Sequence, residues 1–145
     1  MVERAADRVA LVTGGGGDLG LATAVALGAV GTRIILADVD GEQAARAARE
    51  LSAQGIAATA LVMDVASEAS VTAGFDSVAK DCGRLDILVN NAGVAARKPS
   101  LELPLDEWNR VLGINLTGTS LCSRAAARLM LGGKGGAIVN VASDL

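Results

Sequence analysis

The sequence predicts an α/β fold built as a doubly wound parallel sheet. Short apolar runs alternate with segments of helical spacing from Val9 onward. The first run ends in Thr13 and four consecutive glycines, with room for an Ala-rich helix after them. The runs are continuously apolar rather than alternating, as strands are when helices cover both sheet faces. Repeated βα units with right-handed crossovers assemble into such a sheet.

Val9–Val12 reads as the first strand, Leu19–Val30 as the first helix and Arg33–Ala37 as the second strand. Gly41–Gln54 is helical, with Ala44, Ala45, Ala48 and Leu51 spaced along one face. Ala58–Met63 reads as strand three. Ser67 is placed to cap a helix running to about Cys82, and Glu68 favours its positive end. Leu85–Val89 is strand four. Asp106 is placed to cap a long helix reaching about Leu131, and Ala137–Val141 is strand five.

Composition narrows the function classes. A length of 145 residues fits one domain, with no linker or low-complexity segment. Phe75 and Trp108 are the only aromatics, so Ala, Val, Leu and Ile must build the core. A net charge of -3 without a basic cluster argues against a nucleic-acid surface. Glu3, Arg4, Asp7 and Arg8 make the N-terminus too charged for a signal peptide. Val9 to Gly31 carries one charge, Asp18, but its glycines and that carboxylate break it well short of the ~20 apolar residues of a membrane span. Cys82 and Cys122 fit no metal spacing. Two buried free thiols in a cytoplasmic protein are the expectation, a disulfide the alternative.

Strand, glycine turn and helix in succession bring backbone N–H groups and a helix N-terminus up to a diphosphate. Asp38 ends the second strand, 18 residues beyond Gly20. A carboxylate there accepts hydrogen bonds from the ribose hydroxyls of NAD and repels the 2′-phosphate of NADP. No Lys or Arg lies in the turn or directly after Asp38, which also favours NAD. The plain alternative is a tight turn plus a solvated Asp.

With those residues in view, the chain from Arg8 onward resembles the short-chain dehydrogenase/reductase family. Thr13-Gly14-Gly15-Gly16-Gly17-Asp18-Leu19-Gly20 is similar to the family's TGxxxGxG, with Asp18 in place of the middle glycine. Asp64-Val65 falls where the family places a side chain near the adenine, and Asn90-Asn91-Ala92-Gly93 resembles its NNAG. Asn115 falls at its active-site Asn and Ser143 at its catalytic Ser. The resemblance implies a Rossmann-like sheet in the order 3-2-1-4-5. It implies NAD as cofactor, held by Gly14, Gly15, Gly16, Gly17, Asp18, Leu19, Gly20, Asp38, Asp64, Val65, Asn91, Ala92 and Gly93. It also implies hydride transfer between nicotinamide and a small alcohol or carbonyl substrate.

Each residue also has a plainer reading. Asp64 is a strand-end carboxylate and Asn90-Asn91 an Asx turn, or both asparagines face the crevice. Asn115 is a poor helix former that bends its helix and holds a water, or is simply exposed. Ser143 sits where parallel sheets place ligands, yet such a Ser also serves as a turn residue. Asp18 facing a phosphate at ~5 Å would cost about 3 kcal/mol at an effective dielectric near 20. It is therefore expected to point away or cap the helix, and cofactor affinity is expected to be weakened.

The family's YxxxK motif has no counterpart. There is no Tyr and no His, and Lys80, Lys98 and Lys134 stand outside any such pattern. The expectation is the amino-terminal part of a longer enzyme, an incomplete dinucleotide-binding domain over residues 1–145 that is inactive alone. Strand five would be left as an apolar edge and the long helix partly uncovered, favouring a homo-oligomer. The alternatives are a non-catalytic NAD-binding module and an inactive truncated chain.

Overall fold

A computed structural model describes residues 8–143; the charged residues Glu3, Arg4 and Asp7 lie outside the described residues. Five parallel strands form one sheet in the order β3-β2-β1-β4-β5. They are β1 (Val9–Thr13), β2 (Arg33–Asp38), β3 (Ala58–Val62), β4 (Ile87–Asn90) and β5 (Ala137–Asn140). This is the expected order. β1 lies at the centre, with Leu11 between Ile35 of β2 and Leu88 of β4.

Side chains alternate across the strands and feed two cores. Val9, Leu11, Ile35 and Leu88 pack with Val71, Phe75, Val78, Cys122, Ala126 and Met130 on one face. Ala10, Ile34 and Leu36 pack with Ala24, Ala47, Ala48 and Leu51 on the other. Helices cover both faces of the three central strands but not the rims. In β3, Thr59, Ala60 and Val62 are exposed, and all of β5 is exposed.

Helix α1 (Asp18–Ala29) buries Gly20, Ala24 and Gly28, one small residue every fourth position. A Cβ on Gly28 would overlap Ile56, so this spacing sets how closely the helix approaches. In α2 (Gly41–Ala53), the Asp40 side chain accepts from the N–H groups of Glu42 and Gln43 and caps the helix. Its buried stripe is Ala44, Ala47, Ala48 and Leu51. Ala47 thus takes the place expected of Ala45, completing the i, i+3, i+4, i+7 pattern. α3 (Glu68–Cys82) is capped by Ser67, as expected, and ends on Gly83 at φ +69°.

The expected single helix from Asp106 is three joined segments: α4 (Leu105–Leu112), a π-helical stretch (Gly113–Gly118) and α5 (Thr119–Leu131). Asp106 does not cap it. Pro104 holds the cap position without a side-chain bond, and Asp106 lies in the first turn. A short 3₁₀ turn, Ser100–Glu102, precedes it. Leu105, Trp108, Leu112 and Leu116 remain exposed along this element.

β4 begins at Ile87 rather than Leu85, and Asp86 serves as a tie at the strand entrance. Its carboxylate accepts from Val9 N–H (2.8 Å) and pairs with Arg84 at 2.6 Å. Burial raises its pKa, but the Arg84 and Val9 hydrogen bonds and the charges of Arg84 and Arg8 hold it below the ordinary value. Both cysteines are free. Cys122 is buried, and burial pushes its thiol up to about 11. Cys82 is only half-buried, because it closes α3 at the core's margin. Among the described residues no helix is long and apolar enough to cross a membrane.

Candidate functional site

The carboxyl ends of β1 and β4 are bolted together beneath a cleft. Thr13, 1% exposed, is the bolt. Its Oγ1 accepts from the N–H groups of Asn91 and Ala92, each at 3.0 Å, and donates to the Val89 carbonyl at 3.4 Å. The Asn91 amide donates back to the carbonyls of Thr13 (3.0 Å) and Gly14 (3.2 Å). Asn91 is therefore a cross-strand brace rather than an Asx turn. Thr13 opens the stretch similar to TGxxxGxG, yet the motif gives it no role of its own; a Thr closing an apolar strand before glycines is the visible signal.

The glycine turn is shaped by the protein's own packing. Gly14 has φ +61°, which favours glycine. A Cβ on Gly15 would meet Leu36 at 2.9 Å, one on Gly16 would meet Gln43 at 2.8 Å, and one on Gly20 would overlap the Gly14 carbonyl. The N–H groups of Gly15, Gly16 and Gly17 donate to the Ala37 carbonyl, the Asp38 carboxylate and the Gly14 carbonyl. These three N–H groups of the turn are therefore already engaged within the protein. The N–H groups of Asp18, Leu19 and Gly20, in the first turn of α1, have no acceptor among the described residues. These are the open donors, at a helix start that favours an anion.

The cleft has a volume of about 460 Å³. Gly14, Gly17, Asp18, Leu19, Gly20, Asp38, Asp64, Val65, Asn91, Ala92 and Gly93 line it, joined by Gln43, Met63, Val94 and Ile114. Gly15 and Gly16 lie buried under the turn and do not line it. Gln43 and Met63 come in because α2 begins and β3 ends beside Asp38, and the pairing of β3 is a tertiary proximity that local patterns do not report.

The lining includes three carboxylates and no Lys or Arg. Asp38 is fixed by two backbone donors, Gly16 N–H to Oδ2 and Asp40 N–H to Oδ1, both at 3.0 Å. Asp64 accepts from Ala66 N–H at 2.9 Å. Asp18 is exposed and has no side-chain partner among the described residues. Gly17 holds the cap position of α1, so the expected capping by Asp18 does not occur.

A second cavity of about 600 Å³ adjoins the cleft across the shared wall Asn91–Val94. Ala95, Ala96, Val111, Asn115, Val141, Ala142 and Ser143 complete its lining. The fold thus brings Asn115 and Ser143 to one cavity. Asn115 Oδ1 accepts from Val94 N–H (2.9 Å) and its Nδ2 donates to the Val94 carbonyl (2.8 Å). It lies in the π-helical stretch, and its side chain braces the loop after β4. Asn90 is absent from both linings. Its Nδ2 donates to Ser123 Oγ (3.0 Å) and Asn140 Oδ1 (2.8 Å), tying β4 to α5 and β5. Adjacent strand residues face opposite ways, so only one of Asn90 and Asn91 can face the cleft side.

Residues 8–145 match the short chain dehydrogenase family. D-threitol dehydrogenase of Mycolicibacterium smegmatis is 46% identical over 137 residues, covering 94% of this chain and 53% of that protein. Cis-4-hydroxycyclohexanecarboxylate dehydrogenase of Sinomonas cyclohexanicum is 44% identical over 146 residues, covering 100% of this chain and 58% of that protein. The crystal structure of NAD⁺-bound xylitol dehydrogenase superposes with a TM-score of 0.90 at 43% identity, covering 94% of this chain and 53% of that one. A gluconate 5-dehydrogenase from Burkholderia cenocepacia, in complex with NADP and tartrate, gives a TM-score of 0.88 at 39% identity, covering 94% and 53%. The chain spans about half the length of the curated relatives it matches.

Proposed function

The chain belongs to the short-chain dehydrogenase family, and from that premise we propose that residues 1–145 form the dinucleotide-binding domain of an NAD(H)-dependent oxidoreductase. The reaction is hydride transfer between nicotinamide and a small alcohol or carbonyl substrate. The observation that carries the reading is the cleft at the open N-terminus of α1 with Asp38 fixed at its rim. The first-turn N–H groups would hold the diphosphate, and Asp38 the ribose hydroxyls. Asp64 and Val65 would flank the adenine, and Asn91, Ala92 and Gly93 would lie along the nicotinamide half. Bound NAD supplies the hydride acceptor; Ser143 would hold the substrate oxygen and Asn115 would keep the cavity wall in place.

Xylitol dehydrogenase is seen with NAD⁺ and the gluconate enzyme with NADP, so the choice here rests on Asp38. Both its oxygens are anchored by backbone donors, which keeps the charge where a 2′-phosphate would arrive. Calorimetric titration with both cofactors tests this. NAD should bind more tightly, and Asp38→Ala should narrow the gap; tighter NADP binding by the wild type would sink the assignment.

The chain contains no Tyr and no His to act as the acid or base. That composition also supports a second reading, a module that binds NAD without catalysis. The exposed β5 and the apolar side chains of α4 support a homo-oligomer.

A further inference from the structure

We infer that Asp18 is a built-in competitor for the diphosphate, making this cleft bind its dinucleotide weakly and with a reversed dependence on salt. The inference rests on the dinucleotide reading above and adds an affinity-determining residue to it. Three observations carry it. Asp18 opens α1 and lines the cleft beside the free N–H groups of the first turn. Its carboxylate makes no cap and has no partner among the described residues, whereas Asp38 and Asp64 are each held by backbone N–H groups. No Lys or Arg lines the cleft to offset the three negative charges.

A helix N-terminus attracts one anion well. Here the chain places a carboxylate of its own in that field, so an incoming diphosphate meets a partly neutralised helix end and a like charge. Most anion sites weaken as salt rises, because salt screens attraction. This one should strengthen, because here salt chiefly screens the repulsion between Asp18 and the diphosphate. Asp18 is exposed, so solvent reduces the effect well below its buried limit, to about a tenfold change in affinity.

The experiment is calorimetric titration of NAD⁺ into the full chain and two variants, Asp18→Asn and Asp18→Gly, at low salt and at ~1 M KCl, where the screening length is about 3 Å. The Asn variant keeps the size and removes the charge; the Gly variant removes the side chain. Circular dichroism melts confirm that both variants fold. Both should bind NAD⁺ about 10-fold more tightly than wild type at low salt, and the gain should fall to about twofold at ~1 M KCl. Wild-type affinity itself should rise with salt. Equal affinities in all three proteins at low salt, or a gain that persists unchanged at high salt, would overturn the role of Asp18 and leave the cofactor assignment standing. Absence of NAD⁺ binding in all three, at either salt, would instead overturn the dinucleotide reading and this inference with it.

Discussion

Replacing Thr13 with Val removes one hydroxyl from beneath the cleft and keeps the side-chain shape. In the wild type that oxygen is the acceptor for Asn91 N–H and Ala92 N–H. The site is 1% exposed, so water does not substitute without rearrangement. Each buried donor left without a partner costs about 1–3 kcal/mol. The bond to Val89, at 3.4 Å, is long and contributes little. The added methyl returns up to about 0.8 kcal/mol of apolar burial. The net expectation is a loss of about 1–5 kcal/mol, a large share of the roughly 5–15 kcal/mol that holds a domain folded. Equilibrium urea unfolding followed by circular dichroism measures it. Thr13→Ser keeps the acceptor and should lose only about 1 kcal/mol for the missing methyl. If Thr13→Val costs no more than Thr13→Ser, the hydroxyl is not the bolt between β1 and β4. A cycle with Asn91→Ala should give a coupling of about 0.5–3 kcal/mol, since both side chains act on one junction.

Other consequences are open to measurement. Asp86→Asn should destabilise the fold; because the folded pKa of Asp86 is lowered, the deficit should be full above about pH 4 and vanish as pH falls through the folded value, read from urea midpoints across pH. A deficit that stays constant to low pH would refute the Arg84–Asp86–Val9 tie. Cys122, with its thiol pushed up to about 11 and its side chain buried, should resist alkylation at pH 8 in the native protein while half-buried Cys82 reacts; mass spectrometry counts the labels. The chain alone should show no NADH-dependent carbonyl reduction above background, and turnover that Ser143→Ala abolishes would refute the need for an acid it does not contain. Exposed Trp108, Leu112, Ile138 and Val139 should drive self-association, and a monodisperse monomer in light scattering at tens of micromolar would count against it.

The parts of the fold that follow from local pattern are legible in the sequence. Val9–Thr13, the glycines and Asp38 announce strand, turn and second strand within one short stretch, and Ser67 announces its helix by capping chemistry. What depends on tertiary placement is not legible. The identity of the buried alanine in α2 turns on a single position, Ala47 against Ala45. The π-helical stretch stays hidden because hydrophobic spacing does not register one extra residue per turn. Hydrogen bonding decides the glycine turn, where the inward N–H groups of Gly15, Gly16 and Gly17 leave donation to the first turn of α1. The alternation of a strand already implies that Asn90 and Asn91 part company, although two adjacent asparagines invite a shared role.

The place of β1 in the sheet also sets a timetable for folding. On its β2 side, β1 finds its partner about one crossover later, but its other edge waits for β4; the Val9–Asp86 hydrogen bond spans 77 residues. At about 5–20 residues per second, a ribosome needs roughly 4–15 s to deliver that span. Once β3 has emerged the β3-β2-β1 half can pair, while the central strand, apolar except for Thr13, still presents a bare edge to the cell. Nascent chains arrested at successive lengths should gain protease resistance around Val9–Thr13 only once Asn90 has emerged. Slowing synthesis between Asp64 and Asp86 would therefore lengthen the window in which this protein is most prone to pair with the wrong strand.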